Sequence, residues 1–229
     1  MSLLQIPGCR KGRGNRERIF AVVQFEYTSR DTAGASMYGQ LPSPIAVLSL
    51  DQDQDTGRLE LVSYHNVDTS DVHGLWITCG ASISPWNTHL SSEEYEPDAT
   101  VATNSQLKAF SKNLYGDENR AKPYHYGHLP EVTVRTDGTA TIKKHYCLGR
   151  ISHELVQVMP DERTVLMGDD ATNGGLFMFV ADRARTCPAA PSTLPSGFRL
   201  PAPGPAPATS PGSTSVMRPA RRSRRWPTR

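Results

Sequence analysis

Short runs of β-branched and aromatic residues, each closed by turn-forming residues, recur along this chain. No stretch carries the sustained 3.6-residue apolar period of a long amphipathic helix. Ile19 to Tyr27 (IFAVVQFEY) and Ile45 to Leu50 (IAVLSL) have the length and composition of strands, and Asp55-Thr56-Gly57 turns the second into Arg58 to Tyr64. The same unit returns as Val132 to Arg135, a turn at Asp137-Gly138, then Thr139 to Tyr146. It returns again as Leu155 to Met159, a turn at Pro160-Asp161-Glu162, then Thr164 to Met167, with Leu176 to Val180 as one more strand. The pattern predicts an antiparallel all-β domain, and a propeller, a sandwich or a barrel would each satisfy it. The long polar stretch from Glu93 to Gly127 reads as an insertion with one short helix near Ser105 to Leu114.

Charge divides the chain. Its formal net charge is +2, yet residues 183–229 hold nine Arg and no acidic residue, which leaves −7 on residues 1–182. An acidic body suits the gathering of hard cations and does not suit nucleic acid. The Arg-rich last eleven or so residues carry no aromatic platform beyond Trp226, so nucleic-acid binding is not expected of them either. Three regions follow: a flexible basic lead-in over 1–18, a folded domain over 19–182, and a tail over 183–229. Ten of the eighteen prolines fall in that tail, which is expected to be disordered. No apolar run approaches the length of a membrane span, and the first thirty residues lack a secretory pattern. The four cysteines, at 9, 79, 147 and 187, form no CxxC pair.

Three segments could carry chemistry. In LWITCGASISPWNTHLSSEEYEPDA, Cys79 precedes the paired carboxylates Glu93 and Glu94; thiolate and carboxylate can share a transition metal, while a buried cysteine is often only a small hydrophobe. In GRISHELVQV, His153 and Glu154 sit where a strand begins, as ligands or as a solvated corner. The run Gly168 to Gly175 places Asp169, Asp170 and Asn173 among glycines, which suits Ca²⁺ or a polar turn equally. His125 and His128 stand without a third histidine or a HExxH pattern, so zinc hydrolysis lacks its usual parts. No P-loop, GxSxG elbow or dinucleotide fingerprint is present.

Taken together and in order, CGASISPWNTHLSSEEYEPDA, YGHLPEVTV and GRISHELVQVMPDERTVLMGDDATNGGLFMFV resemble the PhoX-type alkaline phosphatases, over Leu41 to Val180. The resemblance implies a partial β-propeller whose axial site holds Fe³⁺ and Ca²⁺ and which removes phosphate from phosphomonoester substrates. It implies Cys79 as the iron thiolate ligand, Glu94 and Glu154 as carboxylate ligands, and Asp169, Asp170 and Asn173 as calcium ligands. Glu93 and His153 would orient their neighbours. Family members continue with further blades, a phosphate-facing arginine and, usually, a twin-arginine export signal, none of which is visible in this sequence. A truncated protein of little or no activity is therefore expected, with a noncatalytic calcium-binding module as the alternative. Read one base out of frame, the peptide from Arg185 onward can encode DLSGGTLYVAKWVQ, the continuation usual in the family; the tail is thus expected to be frameshifted, which sequencing across the junction checks.

Overall fold

A computed structural model of the chain describes residues 1–9, 12, 14–26, 30–101 and 104–185, and the backbone of 215–216. Its strands are β1 (Ser2–Leu4), β2 (Arg16–Gln24), β3 (Ile45–Asp53), β4 (Leu59–Asn66), β5 (Thr78–Ile83) and β6 (His89–Glu93), then β7 (Leu129–Val134) and β8 (Ala140–His145). β9 (His153–Val158), β10 (Thr164–Asp169), β11 (Leu176–Val180) and β12 (Ser215–Val216) complete them, and α1 (Ser105–Tyr115) is the one α-helix among the described residues. They form three four-stranded antiparallel sheets, ordered β1-β2-β3-β4, β5-β6-β7-β8 and β12-β11-β10-β9.

The second sheet lies between the other two. Leu4, Phe20, Val22, Ile45 and Val47 of the first sheet pack on Val132 and Val134 of the second. Leu90 and Leu129 of the second pack on Val156, Val158, Val165 and Met167 of the third. The first strand of each sheet faces its counterpart, β1 beside β5 and β5 beside β9. The three four-stranded antiparallel sheets, stacked in sequence with their first strands gathered on one side, make the all-β fold that the sequence pattern predicts, in an arrangement that accords with the partial β-propeller the resemblance implies.

The insertion after β6 packs as a third core, with Leu107 and Phe110 of α1 against Trp76, Ile77 and Tyr126. α1 begins where Asn104 caps it, its side chain accepting from the Leu107 N–H at 3.0 Å, and ends at the left-handed Gly116. Asn104→Ala is expected to cost ~1 kcal/mol in a urea unfolding series, the usual value of such a cap.

Part of the expected lead-in is built into the first sheet: β1 pairs with β2 as the sheet's edge strand, and Leu4 is fully buried in the core it shares with Val132 and Val134 of the second sheet. The expected tail over 183–229 lies outside the described residues, apart from 183–185 and β12, whose backbone pairs with β11. No helix among the described residues is long and apolar enough to cross a membrane.

Candidate metal centre

Two β-bulges shape one end of the inner strands. β5 pairs with β6 at Thr78↔Glu93 and resumes only at Ala81↔Ser91, so Cys79 and Gly80 fall where the register shifts. A second register shift, between β9 and β10, pairs Gly168 with Leu155 and Asp169 with His153, so Glu154 falls at the bulge on β9. Gly80 lets β9 come close, since a Cβ there would lie 1.9 Å from the Glu154 carbonyl oxygen. Polar side chains hold this junction. Gln24 donates through Nε2 to the carbonyls of Cys79 and Gly80, and Ser92 Oγ lies 3.0 Å from the Gly80 carbonyl and 3.2 Å from that of Glu154.

Glu26, just past β2, is drawn to the same end. Thr78 Oγ1 donates to the Phe25 carbonyl at 3.0 Å, Ser43 Oγ donates to the Glu26 carbonyl, and the Thr78 N–H donates to Ser43 Oγ at 3.3 Å.

The outcome is two overlapping groups of ligand atoms. One atom each from Glu26, Cys79 and Glu94 lie within 4.8 Å of one another, and so do one each from Glu94, Glu154 and Asp170. Glu94 is buried and belongs to both; Glu26 and Asp170 stand at the exposed rim. Tyr95 donates its hydroxyl to Asp170 and so fixes that carboxylate.

The electrostatics are those of crowded acids. Burial, then the negative charges of Glu94, Glu154 and Glu26, push the Cys79 thiol up to about 12. Burial, then the hydrogen bond and charge of Glu154, raise Glu94 to about 8. Other buried carboxylates have cationic partners: Glu93 pairs with Lys144 at 2.8 Å, and Glu131 with Lys143 at 2.9 Å, with His145 Nε2 2.7 Å from the same Glu131 oxygen. Among the described residues no ion pair reaches Glu26, Glu94, Glu154 or Asp170.

Of the residues singled out in the sequence, Cys79, Glu94, Glu154 and Asp170 come together here. Asp169 falls in neither group, although its carboxyl is raised by burial and by Asp170. Asn173 sits exposed and left-handed (φ 62°) in the β10–β11 turn. His153 is fully buried, with Nε2 3.4 Å from the Gly149 carbonyl. His128 is spent on the carbonyls of Gly149 and Tyr124, and His125 stacks on His73 at 3.8 Å. Glu26 was not singled out, because a carboxylate after an apolar strand carries no motif; only the fold marks it.

The family described as alkaline phosphatase PhoX matches residues 52–193. Among solved structures, Pseudomonas fluorescens PhoX in complex with vanadate, a transition state analogue, superposes with a TM-score of 0.52 at 19% sequence identity. That match covers 80% of this chain and 40% of the other, so the chain spans well under half of its structural relative. No curated protein matches in sequence. The family match extends over more than half of the residues, and the chain belongs to the PhoX alkaline phosphatase family.

Proposed function

We propose that Glu26, Cys79 and Glu94 hold ferric iron, that Glu94, Glu154 and Asp170 hold calcium, and that the site serves hydrolysis of phosphate monoesters. The observation that carries this reading is a cluster of four carboxylates and a thiol with no cationic side chain paired to it among the described residues. Such a cluster repels itself unless protons or cations neutralise it. The donor sets fit the two ions differently: a thiolate with carboxylates suits iron, and an all-oxygen set suits calcium. When bound, such cations stabilise the charge of a phosphoryl group in transfer and lower the pKa of a nucleophile. The protein's own part is to hold its donors in place. Tyr95 orients Asp170, the bulge at Cys79 aims the sulfur, and Glu94 links the two groups. Asp169 and Asn173 are given no ligand role.

Elemental analysis of the full chain, with hydrolysis of an aryl phosphate, tests this. The wild type is expected to retain iron and calcium, Cys79→Ser to lose iron and keep calcium, and Asp170→Asn to lose calcium. Iron retained undiminished by Cys79→Ser would remove the thiolate from the site. The all-oxygen group favours one second reading, a noncatalytic calcium-binding module, which predicts calcium without iron and no hydrolysis.

A further inference from the structure

Glu93 belongs to neither ligand group, yet its carboxylate joins the segments that supply them. Its side chain is fully buried. Oε1 accepts from the Trp76 N–H at 2.8 Å and from Lys144 Nζ at 2.8 Å, and Oε2 accepts from the N–H groups of Gly127 at 3.0 Å and His128 at 3.1 Å. Those four bonds use the acceptor capacity of a carboxylate. Lys144, also without side-chain exposure, donates to the His125 carbonyl at 2.9 Å and lies 4.8 Å from the centre of the Tyr126 ring.

Each partner leads to a proposed ligand. Trp76 runs through Ile77 and Thr78 into Cys79, and the Ile77 carbonyl accepts the Glu94 N–H at 2.9 Å. The Gly127 carbonyl accepts the Ile151 N–H at 3.3 Å, at the head of the segment that reaches Glu154. The Tyr95 N–H donates to Ser152 Oγ at 2.7 Å in the same segment. Successive side chains on an extended strand point to opposite faces, so Glu93 anchors inward while Glu94 is presented to the site.

We propose that Glu93 and Lys144 are a positioning pair: their buried ion pair fixes the segments carrying Cys79, Glu94 and Glu154 at the spacing a cation requires, against the mutual repulsion of the ligands. A buried ion pair is weak evidence for net stability, because apolar residues of the same volume often serve as well. Its use is to fix which backbone groups meet. This assignment rests on the reading that the cluster binds metal.

The test uses the full chain, Co²⁺ as the probe of the thiolate group and Ca²⁺ as the probe of the oxygen group. Wild type is expected to bind Co²⁺ with a thiolate-to-cobalt charge-transfer band. Glu93→Gln, folded by circular dichroism, is expected to bind Co²⁺ and Ca²⁺ roughly 10- to 100-fold more weakly, the usual loss when an outer-shell partner is removed. The Co²⁺ band of this variant should weaken as well. Because Glu93→Gln leaves Lys144 buried and unpaired, a double variant with Lys144→Met accompanies it and is expected to fold with the same weakened affinity. Wild-type affinity and an unaltered band in either folded variant would overturn the positioning role and leave the metal reading intact. Failure of both variants to fold would assign the pair to the fold as a whole and overturn it equally. A wild type that binds neither ion would remove the metal reading itself.

Discussion

Gly80→Ala is expected to break the docking of β5 on β9 and to abolish cation binding together. The added methyl would meet the Glu154 carbonyl oxygen at 1.9 Å and Leu155 Cδ2 at 2.7 Å. The leucine can rotate away, but the carbonyl is backbone and cannot. Relief requires the two strands to part, which strains the Gln24 and Ser92 bonds that clamp the junction. Overpacking of a close-packed interior costs typically 1–3 kcal/mol, and a contact with backbone belongs at about 3 kcal/mol. Urea unfolding should show that loss and Co²⁺ titration the loss of the site. Gly168→Ala is the control, since nothing lies within 4 Å of the Cβ it would add. Equal stability of the two variants would contradict the account of the junction.

Proton competition is expected to produce an effect of similar weight. Burial and the neighbouring carboxylates hold the Cys79 thiol at about 12 and Glu94 at about 8, so a cation bound by both displaces two protons below pH 8 and one above it. Co²⁺ affinity should then fall roughly 10³- to 10⁴-fold between pH 8 and pH 6, since each displaced proton contributes a decade per pH unit. Ca²⁺ on the oxygen group displaces the raised Glu94 proton, so its affinity should fall about tenfold per unit just below pH 8 and level off above. The metal-free protein runs the other way. Its Glu94 is raised from an ordinary value of 4.5, so the folded form holds the extra proton between 4.5 and about 8, and stability declines as pH rises through that window. Titration calorimetry at several pH values, with thermal melts of the metal-free protein, reads both slopes. A pH-independent Co²⁺ affinity would exclude Cys79 and Glu94 as joint ligands.

The sequence exposed the outer strands more readily than the inner ones. IAVLSL, the Asp55-Thr56-Gly57 turn and LFMFV are each visible because local composition and tertiary role agree, and they reappear as β3, the β3–β4 turn and β11. Beyond a strand end at Cys79, β5 was not legible as a strand, and β6 was not legible at all. TCGASI and HLSSE are small and polar, and they extend because neighbouring sheets cover them: every residue of β6 is buried, including Ser91, Ser92 and Glu93. Cys79, Glu94, Glu154 and Asp170 were recoverable because each lies in a segment that resembles a family motif. Glu26 and Lys144 were not. One follows an ordinary apolar run, and the other sits in a Lys-Lys-His stretch that reads as a solvated face until the chain closes over it. What one dimension lacks in both cases is the second strand that turns a polar residue inward.

The locality of the sheets sets an order of assembly. Within the first and second sheets every strand pairs with its neighbour along the chain, across the long insertion between β6 and β7 as well, so each sheet draws on one continuous stretch of chain and can form without strands from the others. The carboxylates and the thiol are contributed by β2, β5, β6, β9 and β10 or the residues just beyond them, drawn from all three sheets. They converge only after the sheets have docked. Cation capture is therefore a late event in folding and cation loss an early one in unfolding, so bound metal should slow unfolding and leave the folding rate nearly unchanged. Ions bound at the proposed site would act as a latch on a finished assembly, not as its nucleus.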